Sequence, residues 1–378
     1  MKFLILSSIF FMAAFLVGCG QKDSSVGFVE NISKNIIEKN YRELYQHANT
    51  LVNATLACNK KEANHQHVIE GLKPIWGDVM SSWQRVQWVQ FGPIKEDGRE
   101  WALQFWPDKR NLVGKKINAL MQDGSVISDA SLSRSGLVAQ GLSAMEYLLF
   151  DKASQKFSND ALHSDVNFLH VCMSSIAISK AIYKTSKALL DGWVEYDNDN
   201  LSDFENHSER SKIVDAQQAI SIIVNNIVVM AEVMANRKIG SPFYLNNTSV
   251  DVDERVKKSN PFFLESWRSE RSRLNLKNNI EALQEILLSG GLDELLDKNS
   301  ANNLSITLEI QIAKILSMVN LSEIQPSYFK QLSVDKLAAI DNIQSLYKEL
   351  NVLQKMMAID LSKALNVQLG FNANDGDS

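Results

Sequence analysis

Proline is scarce in this 378-residue chain, with six in all, and glycine is uncommon outside apparent loops. No persuasive run of alternating apolar and polar residues appears either, which argues against strands. Basic residues form no long cluster and the formal net charge is −5. Neither a phosphate backbone nor an anionic lipid surface is therefore an evident partner, and nucleic-acid binding is set aside. The HExxH pattern that puts two zinc-binding histidines on one helix face is missing. Cysteine is limited to three residues, too few for a disulfide-rich scaffold.

The first of those cysteines closes a recognisable segment. MKFLILSSIFFMAAFLVGCGQ starts with a charge at Lys2, continues as an apolar run and ends in LVGC. The run is about 16 residues, short of the ~20 needed to span a bilayer, and it ends in small residues. It reads as a lipoprotein leader: residues 1–18 are a signal peptide, Cys19 takes the lipid, and 19–27 form a tether. Gln21, rather than Asp, follows Gly20, which favours the outer membrane, facing the periplasm. The expected membrane contact is thus through the lipid on Cys19. In an oxidising compartment Cys58 and Cys172 either pair or stay as buried free thiols, and the sequence fits both.

What is present in quantity is apolar residues three and four apart, so the fold is predicted to be all-α. Stripes run over about 28–57, 65–90, 108–122, 132–150, 163–194, 211–238, 272–289, 302–319 and 333–364. The polar segment DKASQKFSND suggests a boundary. Two helical-bundle domains are expected, 28–155 and 156–368, each roughly an up-down four-helix bundle with a cleft between them, followed by a flexible tail at 369–378. A bridge from Cys58 to Cys172 would tie the two together.

Three blocks carry a family resemblance. Trp83, Val86 and Gln87 lead into FGPIKEDGRE and FWPDKRN; GLSAMEYLLF spans 141–150; and ESWRSERSRLNLKNNIEAL spans 265–283. In that order they resemble the signature blocks of the imelysin-like family, across most of the chain. The second block is similar to the family pattern of Gly, any residue, His, two residues, Glu, with Gly141 and Glu146 matching and Ser143 in the histidine position. The resemblance implies an envelope protein associated with iron or other metal acquisition, with iron-transport components as partners and a divalent metal or iron species as the candidate ligand. It also implies that the face bearing Glu146 meets the other domain, where the ESWRSERS segment contributes.

On the residues themselves, Ser143 and Glu146 share one helix face and Gly141 permits close approach. Glu146 is the candidate metal ligand, although zinc sites need three or four ligands of N, S or carboxylate type and Ser143 is a poor one. Asp108 sits where a carboxylate favours a helix start, and Arg110 is suited to grip Glu146, Glu265 or a bound anion. The expected cleft comprises Asp108, Arg110, Gly141, Ser143, Glu146, Glu265, Ser266 and Ser269. His67 with Glu70, and His163 with His170, have helical spacing but read as solvated or capping residues; His47 and His207 have no ligand-like neighbours. Three functions follow: a non-catalytic metal-acquisition binding protein, which is the favoured reading; a metallopeptidase of the imelysin type; or an envelope scaffold that recruits a partner.

Overall fold

The computed structural model describes residues 23–151, 164–202, 204, 212–247, 249–299, 301–321, 324 and 336–370. The leader with Cys19, His163, His207 and the tail from 371 lie outside the described residues. The described residues are helical throughout, with no strand among them.

The chain enters as α1 (Ser24–Asn31), passes through a π-helical stretch at Ile32–Glu38 and continues as α2 (Lys39–Thr55). Next comes α3 (His65–Val86), whose start is fixed by the Asn64 side chain accepting from the His67 N–H at 3.0 Å. Its buried stripe of Ile69, Leu72, Trp76, Val79, Met80, Trp83 and Val86 keeps helical spacing, so a single face is turned to the interior. Short helices α4 (Arg99–Leu103), α5 (Leu112–Leu120) and α6 (Asp129–Ser135) lead to α7 (Gly141–Phe150).

The continuous helix expected over 132–150 is broken. Gly136 and Gly141 both adopt positive φ, at 82° and 76°, and stop one helix before starting the next. At Gly141 the close approach is severe: a Cβ there would lie 2.3 Å from the Ala102 carbonyl oxygen and 2.4 Å from that of Leu103. Glycine is what lets α7 start against the end of α4.

The second half holds α8 (Ser164–Asn200) and α9 (Ala216–Glu232), the latter running on as a π-helical segment over Val233–Gly240. The loop expected from Gly240 to Pro261 contains α10 (Val252–Lys258), started by Asp251 accepting from the Glu254 N–H at 2.8 Å. Then follow α11 (Ser272–Ser289), α12 (Leu292–Lys298), α13 (Asn302–Leu321) and α14 (Lys336–Lys355). Gly290 and Gly291 end α11 where the sequence predicts, with Gly291 at φ 84°.

One group of helices is α2, α3, α7 and α8; α9, α11, α13 and α14 form another, and α3 packs on α11 to join them. The expected division at 155/156 thus falls before a helix that packs with the first group. Cys58 and Cys172 form a disulfide with Cα atoms 5.5 Å apart. Because α8 lies against α2 and α3, the bond staples the first group internally instead of tying two domains. The buried apolar residues form one cluster running from Phe28 to Val367.

Candidate functional site

The join between the two groups is lined with polar side chains that are nearly all out of contact with solvent. At its centre Lys238, 3% exposed, faces Glu265, 2% exposed, with Nζ 2.6 Å from Oε2. The ammonium has three donors, and four acceptors surround it: Glu265, the Gln84 Oε1 at 2.8 Å, the Gln87 Oε1 at 2.9 Å and the Asn279 Oδ1 at 2.6 Å. The Glu265 Oε1 accepts from the side-chain amides of Gln84, Gln87 and Gln104 at 3.0, 3.2 and 3.0 Å. Asn275 donates to Oε2 at 3.3 Å and to the Ser266 hydroxyl at 3.0 Å.

Burial by itself would push the Glu265 carboxyl up, but the Lys238 charge and the hydrogen bonds from Lys238, Gln84 and Gln104 outweigh it and hold the group below the usual carboxylate range. Burial likewise pulls the Lys238 amine below its usual range, opposed by the charge of Glu265. In both groups the partner's charge is the first opposing influence to burial.

Glu146 lies beside this network in a different environment. It is 4% exposed, and its Oε1 accepts from both the backbone N–H and the hydroxyl of Ser269, at 3.0 and 2.8 Å. Among the described residues no cation makes an ion pair with it. Burial pushes its carboxyl above the usual range; the Ser269 hydrogen bonds and the charge of Arg268 oppose this, and the charge of Glu265 adds to it.

The turn that presents Glu265 and Ser269 is held by its own backbone. Ser266 and Glu270 adopt left-handed conformations at φ 50° and 56°. The Ser266 carbonyl accepts from the Arg271 N–H at 3.2 Å and from the Ser269 hydroxyl at 3.1 Å, while the Ser272 hydroxyl donates to the Glu265 carbonyl at 2.6 Å. Arg271 reaches across to α3, donating to the Gly77 carbonyl at 2.8 Å and the Ser81 hydroxyl at 2.7 Å. A Cβ on Gly77 would meet that guanidinium at 2.7 Å, so the glycine makes room for it.

Of the expected cleft residues, Ser143, Glu146, Glu265, Ser266 and Ser269 are brought together at this join, with Gly141 starting their helix. They form a buried junction and not an open cleft. The Ser143 hydroxyl donates to the Phe105 carbonyl at 3.1 Å, a structural bond. Asp108 and Arg110 stand apart. The Asp108 carboxylate accepts from the N–H groups of Leu112 and Val113 at 2.6 and 3.0 Å and so fixes the start of α5. Arg110 is exposed in the preceding turn and reaches neither glutamate. The guanidinium nearer the join is that of Arg268, which also grips neither glutamate: it donates to Asp151 at 2.8 Å and Asn111 at 2.7 Å and lies over the rings of Tyr147 and Trp267.

Lys238 is the central residue that the sequence did not single out. In MANRKIG a lysine at a helix end reads as a favourable last-turn cation. The signal that could have found it is an ionisable group closing a long apolar helix. The amides of Gln84, Gln104, Asn275 and Asn279 carry no chemical label of their own.

Among the described residues no group of three or more His, Cys, Asp or Glu side chains is placed to hold a metal ion. Glu146 therefore lacks co-ligands there, and the donors around it do not fit a resident zinc. His47 bonds the Ser82 hydroxyl at 2.6 Å and His65 the Cys58 carbonyl at 3.2 Å, so these two rings hold helices.

The protein is thus all-helical, built of two joined helix groups with a buried carboxylate network where they meet. The Imelysin (peptidase M75) family model matches residues 37–357, and the chain belongs to that family. Solved structures agree in fold. An imelysin-like protein from Psychrobacter arcticum 273-4 is 18% identical with a TM-score of 0.72, covering 92% of this chain and 97% of its own. A Parabacteroides distasonis ATCC 8503 structure named after iron-regulated protein A precursors is 17% identical with a TM-score of 0.61, covering 89% and 94%. No curated protein matches the chain.

Proposed function

We propose that this imelysin-family protein is a non-catalytic binding protein of the bacterial cell envelope, tethered through Cys19 and serving the acquisition of iron or another metal. The observation that carries the non-catalytic part is the commitment of the site's two carboxylates: Glu265 is neutralised by Lys238, and Glu146 is tied to Ser269. A peptidase of the zinc type needs a metal-bound water held by about three protein ligands. Ser143 stands where the resemblance would put a histidine, and no ligand group forms around Glu146 among the described residues. The metal is accordingly cargo rather than a resident cofactor. Its association with iron is supported by the name of the Parabacteroides neighbour.

Elemental analysis of the mature protein purified without chelator, joined to a peptide-hydrolysis assay, tests this. Metal retained without hydrolysis supports the proposal. Metal-dependent hydrolysis abolished by Glu146→Ala would overturn it in favour of the peptidase. The tether is tested separately, since Cys19→Ala should leave an uncut precursor in the inner membrane; normally processed, acylated protein in that variant rules out the anchor.

A further inference from the structure

A second feature lies on the solvent side of the same join. A cavity of about 420 Å³ opens between the segment 87–106 and the helical run of α9 and its π-helical extension. That volume falls within the range of small-ligand sites. Three of the protein's seven tryptophans, Trp88, Trp101 and Trp106, line it. Trp101 is 43% exposed, an unusual state for so large an apolar ring, and it rests on Phe105 with centroids 5.7 Å apart. Trp88 is 1% exposed, yet its indole N–H is buried with no acceptor among the described residues. Buried polar atoms left unpaired are rare in folded proteins and call for a partner.

The rest of the wall carries four side-chain amides: those of Gln87, Gln90 and Asn226 are already bonded within the protein, while Asn225 has no bond among the described residues. Of its two cations, Lys95 pairs with Glu100 at 2.9 Å and bonds the Gln90 side chain, and Arg237 is engaged in an interaction of its own. Neither stands free in the wall. Flat indole faces next to side-chain amides suit a molecule with an apolar C–H face and a rim of groups that both donate and accept hydrogen bonds. A pyranose ring has that form.

We propose that this cavity binds a neutral oligosaccharide, with Trp101 as the stacking face and the Asn225 amide as a hydroxyl partner. The site shares Gln87 with the buried network but does not rest on the metal-acquisition reading. The test is titration of the full chain, without added metal, with triacetylchitotriose and with maltotriose, followed by tryptophan fluorescence and calorimetry. Saturable binding of either sugar is expected, weakened at least about tenfold in Trp101→Ala, or about 1.4 kcal/mol. Because Trp101 is half in solvent, that variant should melt as the parent does. Asn225→Leu supplies a second variant in which the ring is kept and an amide lost, and it too should weaken binding. The proposal is overturned if neither sugar binds saturably, if both variants bind as the parent does, or if trigalacturonate binds while the neutral sugars do not.

Discussion

Glu265 and Glu146 are both almost wholly buried at one join, and their carboxyls are shifted in opposite directions from the usual range. The difference is the cation. Glu265 has the Lys238 ammonium at 2.6 Å and a shell of amide donors, so it is held ionised. Glu146 has two donors from Ser269 and only the more distant charges of Arg268 and Arg271, so burial wins. Burial by itself therefore does not decide a carboxyl's state; a contacting opposite charge does.

The comparison breaks most severely at Lys238. Replacing it with Met strands the Glu265 charge, and urea denaturation should reveal a loss of about 3–5 kcal/mol. The double variant Lys238→Met with Glu265→Leu should regain most of that, because two apolar side chains need no compensation. A double variant as unstable as the single one would mean that the amide shell, not the charge pair, holds the join.

Ser269→Ala comes next. It removes one of the two donors to Glu146 and leaves the backbone N–H in place, for an expected loss of about 1 kcal/mol. The Glu146 carboxyl should move further up, which carbon-13 NMR of the labelled side chain would follow. An unchanged titration would show that the backbone donor carries the interaction by itself.

The smallest effect, and the sharpest, belongs to Glu146→Gln. A carboxyl whose folded-state pKa is raised binds more protons folded than unfolded, so it costs stability as pH rises from the unfolded value near about 4.3 through the folded one. Gln cannot ionise and removes that cost. Near pH 4 the variant should lie within about 1 kcal/mol of the parent, and it should gain relative to the parent as pH rises to neutrality. Glu265 has the opposite sign: its folded-state pKa is lowered, so its contribution is present above about pH 4.3 and is lost as pH falls through the folded value. A Glu146→Gln variant that instead lost stability toward neutral pH would mean that Glu146 is ionised and paired in the folded protein.

Much of this was legible from the chain. The helix that begins at Ser272 and stops at Gly290 and Gly291 follows from an apolar stripe ended by glycine, both local features. Glu146, Glu265 and Ser269 were placed together because the blocks containing them were recognised, not because any spacing linked residues more than 100 positions apart. Arg110 misled because proximity to aromatics in sequence says nothing of direction: its turn points to solvent, while Arg268, from the other block, lies over Tyr147 and Trp267. Asp108 carried two meanings, helix start and site, and its bonds to Leu112 and Val113 select the first.

The helical class was written in the chain, since the 3.6-residue period of apolar side chains is a property of neighbours along it, as was the stop at Gly290 and Gly291. The breaks at Gly136 and Gly141 were not: an apolar stripe runs across them, and Gly141 is required by the approach of the Ala102 and Leu103 carbonyls. Which carboxyl is shifted down and which up depends on packing. The Lys238 ammonium comes from the end of one long helix and the Gln84 and Gln87 amides from α3, and they meet Glu265 only when α3 packs against α11. Electrostatic compensation acts over a few ångströms in space, and no periodicity records it.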